Sequence, residues 1–237
     1  MVRGARVLRL PSLCEVCGDW QGPQGRAALC GACMVSFAAA LPRCTRCGLR
    51  CGTPVQACGA CLQTPPRWRH AYCAVEYGFP WDQLIGRLKF QGQPELAAPL
   101  SALMLRVAPP PGAVSALLPV PLSQTRLAER GYNQAWELTR QLGAACALPA
   151  RADVLWRPLA SAASQTALGR RERLQRLRGA FMVNPAARSW LQGRAVALVD
   201  DVLTTGATAQ AAACALLQAG ATAVDVWVLA RTPAVAD

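Results

Sequence analysis

A chain of 237 residues has room for one α/β domain with a small appendage, and its 53% hydrophobic residues are ample for a packed core. No apolar run approaches the roughly 18 to 20 residues of a membrane span, and the arginine-bearing first ten residues are too short for the apolar stretch of a signal peptide, so a cytoplasmic protein is expected. Of the 25 lysines and arginines only Lys89 is a lysine, and the resulting charge of +12 suits an anionic ligand or nucleic acid, because guanidinium groups hold phosphate bidentately.

In chain order, the first seventy residues are rich in Gly, Pro and Cys and lack a long helical period. Four Cys-x-x-Cys pairs stand there: Cys14/Cys17, Cys30/Cys33, Cys44/Cys47 and Cys58/Cys61. Such a turn aims two sulfurs at one point, and two facing turns complete a tetrahedral Zn²⁺ site with no open position, which makes the metal structural. Pairing in sequence order gives two zinc ribbons, although an interleaved pairing is open too, so one or two zinc ions are expected. Gly18, Gly31, Gly48 and Gly59 lie beside the pairs, where tight knuckles call for positive φ. Cys51 and Cys73 have no assignment, and Cys146 and Cys214 are expected in the core.

After Pro65-Pro66 the texture changes, which divides the chain into a cysteine-rich double ribbon (residues 1–66) and a second domain (67–237). Residues 72–77 alternate like a strand, and residues 81–90 space Leu84, Ile85 and Leu88 as a helix. A further helix is expected over 96–107 and is stopped by Pro109-Pro110-Pro111-Gly112. Residues 114–120 read as a strand, 135–146 as a helix and 154–156 as a short strand. The arginine-rich stretch 157–178 reads as a mobile loop with a short helix. A buried strand (195–199), an alanine-rich helix (207–218) and a last strand (224–229) follow. Strands alternating with helices imply a mostly parallel sheet covered on both faces.

The strand at 195–199 delivers Asp200 and Asp201 to the sheet edge where ligands of open α/β sheets bind. Thr204-Thr205-Gly206-Ala207-Thr208 then turns into a helix, offering backbone N–H groups, hydroxyls and a positive helix end to a phosphate dianion. Arg126 and Arg130 lie four residues apart, on one side of a helix, within reach of a second phosphate group. His70, the only histidine, has no acid–base partner in the sequence and receives no catalytic role.

Val199 to Thr208 resembles the type I phosphoribosyltransferase signature. The resemblance implies that Asp200 and Asp201 grip the ribose hydroxyls, that Thr204, Thr205, Gly206, Ala207 and Thr208 bind the 5-phosphate, and that Mg²⁺ accompanies phosphoribosyl pyrophosphate. Other segments are similar to the ComF family: Ile85-Gly86-Arg87-Leu88-Lys89-Phe90; Leu118-Pro119-Val120-Pro121-Leu122 with Arg126 and Arg130-Gly131-Tyr132-Asn133-Gln134; and Arg157, Gln165, Leu168, Arg171, Arg173 with Ala180-Phe181. This resemblance, which spans residues 13–231, implies a type I phosphoribosyltransferase-like sheet preceded by a double zinc ribbon. Arg126, Arg130, Arg157, Gln165, Arg171 and Arg173 would then form the diphosphate-side and flexible loops. It also implies a link to DNA uptake or nucleotide salvage. The expected activity is that of a phosphoribosyltransferase whose acceptor the sequence does not name. The alternative is a non-catalytic protein that keeps the fold and binds single-stranded DNA, with Trp68, Trp81, Trp136 and Trp156 as stacking platforms.

Overall fold

The computed structural model describes residues 13–20, 29–158 and 180–234. It divides into two compact units, 1–39 and 40–237, so the division falls between the two cysteine clusters. In the first unit, residues 14–18 form a knuckle closed by the Gly18 N–H on the Cys14 carbonyl (2.8 Å), with an antiparallel bridge between Leu13 and Trp20. Helix α1 (Gly31–Phe37) follows, and its N-cap is Cys30, whose sulfur accepts from the Cys33 N–H.

The second unit opens with the same device. The Gly48 N–H closes a knuckle on the Cys44 carbonyl (2.8 Å), and helix α2 (Gly59–Gln63) starts from Cys58. Gly18 and Gly48 take φ of 74° and 71°, as a knuckle requires. Gly31 and Gly59 do not: the second cysteine pair of each cluster opens a helix, where ordinary negative φ serves.

A four-stranded parallel sheet organises the rest. Its strands are β1 (Ala71–Glu76), β2 (Leu117–Pro119), β5 (Ala195–Leu203) and β6 (Ala223–Arg231), in the order β1-β6-β5-β2. The central pair β5 and β6 read as near-continuous apolar runs because both faces are covered. On one face α4 (Ala97–Leu105) and α6 (Gln134–Cys146) pack on the strands, each preceded in the chain by a further helix, α3 (Trp81–Phe90) and α5 (Gln124–Arg130). On the other lies α8 (Ala207–Gln218), whose Ala209, Ala212, Ala213 and Leu216 pack against Val196, Leu198, Val224, Val226 and Val228. Small residues on that helix let it approach the strands closely.

The short strand expected at 154–156 is β3 (Leu155–Trp156), but it stays outside the main sheet. It pairs antiparallel with β4 (Met182–Val183), and α7 (Arg188–Leu191) follows. Two expected core cysteines, Cys146 and Cys214, are only half-buried on helix flanks, whereas Cys73 is buried in β1. Burial pushes the Cys73 thiol up to about 12. Among the described residues no helix is long and apolar enough to cross a membrane.

Candidate functional site

The cysteines assemble in sequence order. Cys14, Cys17, Cys30 and Cys33 form one group, and Cys44, Cys47, Cys58 and Cys61 the other, with the sulfurs of each within 4.8 Å of one another. A tetrahedron with Zn–S bonds of about 2.3 Å has S–S edges of about 3.8 Å. The Cys17–Cys30 and Cys47–Cys58 sulfurs are 3.7 Å apart, and those of Cys44 and Cys61 are 4.0 Å apart. Backbone N–H groups of Cys30 and Cys58 point at the sulfurs of Cys14 and Cys44, at 3.3 and 3.2 Å. Burial alone would raise both thiols, but backbone N–H donors to each sulfur outweigh it and bring Cys14 to about 6 and Cys44 to about 7. Both groups can hold a zinc ion. Cys51 joins neither; its thiol faces the Leu49 carbonyl at 3.5 Å.

The acidic pair lies within β5, which runs on to Leu203 and does not stop at Val199; Asp200 pairs in register with Val228, and Leu203 with Arg231. Alternation along the strand therefore directs the two side chains to opposite faces, although their carboxyl groups stay within hydrogen-bonding reach of each other. Asp200 faces the α8 side, where it lines a cleft with Thr204, Gly206 and Thr208 over a floor of Val120, Leu198, Val226 and Val228. Gly206, at φ 82°, is the N-cap of α8, and a Cβ there would stand 2.9 Å from the Trp68 ring. A side chain would therefore be both strained and obstructed. Gly206 supplies no side-chain cap to α8, and the Ala207 N–H, the first of the helix, donates to the Thr205 hydroxyl at 3.4 Å.

Asp201 points the other way and is buried. It forms an ion pair with Lys89 of α3 and accepts from Gln134 Nε2 of α6 at 3.2 Å. Gln134 in turn accepts from Arg130, whose guanidinium lies 5.0 Å from the centre of the Phe90 ring. The Tyr132 hydroxyl donates to the Leu88 carbonyl, which pins the α5–α6 turn to α3. Two segments distant from β5 in sequence thus converge on one carboxylate. Lys89 and Gln134 stand in the two segments that resemble the ComF family, but nothing in the sequence indicated that they meet at Asp201.

Burial and the neighbouring Asp201 carboxylate hold the Asp200 carboxyl well above its ordinary range, with the Asp201 N–H and Lys89 opposing. A carboxyl whose folded pKa exceeds its unfolded one destabilises the fold as pH rises from about 4 through that raised value. Asp200→Asn is therefore expected to raise the thermal midpoint at neutral pH and to flatten its decline with pH. A lower midpoint in the variant would contradict this account of Asp200.

Of the basic residues, Arg126 lies exposed in the first turn of α5, where its N–H donates to the Ser123 hydroxyl at 3.3 Å. Arg157 stacks 5.2 Å from the centre of the Phe181 ring. Burial, with the nearby positive charge of Arg126, pushes the Arg157 pKa down. Gln165, Arg171 and Arg173 lie outside the described residues. Trp68 and Trp81 are core residues, 4% and 2% exposed, and cannot serve as stacking platforms; Trp156, at 43%, remains open. Trp68 is claimed by the Gly206 turn and Trp81 by the base of α3. His70 stands at the start of β1, beside Asp225 (3.6 Å), at the sheet edge opposite the cleft.

No family model matches the chain. The DNA utilization protein YhgH of Escherichia coli (strain K12) is 34% identical over 238 residues, covering 95% of this chain and 100% of that protein. Competence protein F of Haemophilus influenzae is 34% identical over 209 residues, 86% of this chain and 90% of its own. Among solved structures, the glutamine phosphoribosylpyrophosphate amidotransferase from B. subtilis is 15% identical with a TM-score of 0.41, covering 60% of this chain and 30% of that one. An allosteric regulatory enzyme of purine biosynthesis is 17% identical with a TM-score of 0.38, over 56% and 25%. Identity sustained over nearly the whole of this chain and of YhgH decides the matter: the chain belongs to the family of DNA utilization protein YhgH and competence protein F, the ComF family.

Proposed function

We propose that the chain binds phosphoribosyl pyrophosphate with Mg²⁺ at the C-terminal edge of β5. One observation carries this: Asp200, Thr204, Gly206 and Thr208 line a single cleft into which the N-terminal end of α8 opens. Thr204, Thr205, Gly206, Ala207 and Thr208 take the 5-phosphate, and Asp200 takes a ribose hydroxyl. Asp201 stands behind it and holds Lys89 at the rim. Arg126 and Arg157 repel one another until an anion lies between them, which suits the diphosphate. A carboxyl such as Asp200, together with the ligand's own phosphate oxygens, fits the oxygen-only preference of Mg²⁺. That ion, when bound, supplies neutralisation of a leaving diphosphate.

The turn would fix the sugar phosphate and present C1 to an acceptor. The relatives' names point to DNA or its breakdown products as the source of that acceptor, and hence to a transferase acting in DNA uptake or use. A non-catalytic single-stranded-DNA-binding role has less support, because two of the four tryptophans it would use are buried.

Phosphoribosyl pyrophosphate with Mg²⁺ is expected to raise the thermal midpoint by several degrees. The Asp200→Ala, Asp201→Ala double variant should lose the shift. An equal shift in the double variant would remove the acidic pair from the site. If the shift is present but diphosphate release never depends on an added base, ammonia or nucleic-acid end, the protein is a binding module.

A further inference from the structure

The phosphate turn is fastened to the second cysteine cluster by two side chains. Arg231, the last residue of β6, is buried, and its Nε donates to the carbonyl of Cys47, one of the four sulfur-bearing residues, at 2.9 Å. The same guanidinium donates to the carbonyls of Leu203 (2.9 Å) and Thr204 (2.5 Å), the two residues that enter the turn. One planar group therefore bridges the knuckle and the turn, and its Nη1 also faces the Thr232 carbonyl and hydroxyl at 2.9 and 3.1 Å. Trp68 makes a second bridge. Its Nε1 donates to the Arg46 carbonyl on the knuckle (2.5 Å), while its ring covers Gly206. The adjacent Arg67 N–H donates to Gln210 in the first turns of α8 (2.9 Å).

The knuckle is itself fixed to the sheet. The Ala71 N–H of β1 donates to the Thr45 carbonyl at 2.8 Å, and Gly48 lies so close over Cys73 that a Cβ there would stand 2.2 Å from its sulfur. The carbonyls of Arg46 and Cys47 point where the knuckle's fold puts them, and that fold is held by four sulfurs converging on one metal position.

We infer that Arg231 and Trp68 are positioning residues, and that the metal-loaded second cluster sets the geometry of the phosphate turn through them. Loss of the metal, by chelation or by oxidation of the thiols to disulfides by a two-electron oxidant such as peroxide, would then loosen residues 203–208 before it loosens the sheet. The consequence for ligand binding rests on the phosphoribosyl proposal; the mechanical coupling does not.

Amide hydrogen exchange on the full zinc-loaded chain, without ligand, reads the coupling. Trp68→Phe keeps a ring over Gly206 and removes the N–H donor. It is expected to speed exchange at residues 206–208 by about tenfold, the factor expected for one hydrogen bond, with Leu138 and Leu142 in α6 unchanged. Arg231→Lys is expected to do the same over residues 203–208. Unchanged exchange in both variants overturns the inference. Equal acceleration in α6 also overturns it, because that marks general destabilisation.

Linkage supplies the second arm, since a ligand held by the turn must tighten the cluster by the same factor that the cluster tightens the ligand. Ribose 5-phosphate is the probe, and alkylation of Cys44, Cys47, Cys58 and Cys61 during chelator treatment is the readout. Alkylation should slow in the wild type and be unaffected in Arg231→Lys. Binding without slowing overturns the inference. Absence of binding to the wild type would sink the phosphoribosyl proposal instead, with the exchange experiment still deciding the coupling.

Discussion

Replacing Cys44 with serine is expected to release one zinc ion per chain and to lower the thermal midpoint by more than 10 °C. Cys44 is fully buried, and its sulfur faces those of Cys47, Cys58 and Cys61. Helix α2 beside it has little apolar packing of its own: it has five residues, and only Cys61 among them is buried. The binding free energy of the ion is then largely the folding free energy of that segment. Because the knuckle is bonded to β1 and to Arg231, its loss carries into the sheet unit. For a unit of this size each kcal/mol is worth roughly 2 to 4 °C, so a loss of about 5 kcal/mol passes the stated threshold. Elemental analysis and scanning calorimetry check both halves. An unchanged midpoint with unchanged zinc would mean that the second cluster holds no metal.

The ion pair beneath the acidic strand gives the second large effect, and it is asymmetric. Asp201 is 3% exposed, whereas the Lys89 side chain is 21% exposed. Lys89→Met strands a buried carboxylate beside Asp200, which is expected to cost about 3 to 5 kcal/mol. Asp201→Ala leaves an ammonium that can swing toward water and a Gln134 N–H without its acceptor, at about 1 to 3 kcal/mol. Lys89→Met should thus be the more damaging, and adding Asp201→Leu to it should recover part of the loss. Urea denaturation of the two single variants and the double variant measures this directly. If Asp201→Ala proves worse than Lys89→Met, the ion pair with Lys89 is not what offsets the burial of the carboxylate.

Much of the scaffold was legible because its apolar runs are long and sharply punctuated. Helix α3 begins at Trp81 and ends at Phe90 as the spacing predicts, and α8 starts at Ala207 because Gly206 alone can adopt the preceding turn. The cysteine grouping was equally legible down to two alternatives, between which the structure places the sulfurs in sequence order. What the sequence hid was direction. An acidic pair at a strand end reads as two groups with one task, yet β5 continues through it, and alternation turns Asp201 toward Lys89 and Gln134. Those partners come from distant segments, and no local pattern announces them. Arg231 is hidden in the same way: it reads as a charge ending a strand, and only the fold brings it against Cys47 and Thr204. Trp68 and Trp81 misled for the opposite reason, since an aromatic residue in a basic chain looks like a stacking surface until its burial is known.

The turn after β5 is proposed as a phosphoribosyl site. Calorimetric titration of phosphoribosyl pyrophosphate and Mg²⁺ into the zinc-loaded chain tests it most directly. Saturable binding of one ligand per chain is expected, requiring Mg²⁺ and disappearing when Asp200 and Asp201 are both replaced by alanine. An absence of binding at millimolar ligand, or binding unaffected by that double replacement, would contradict it.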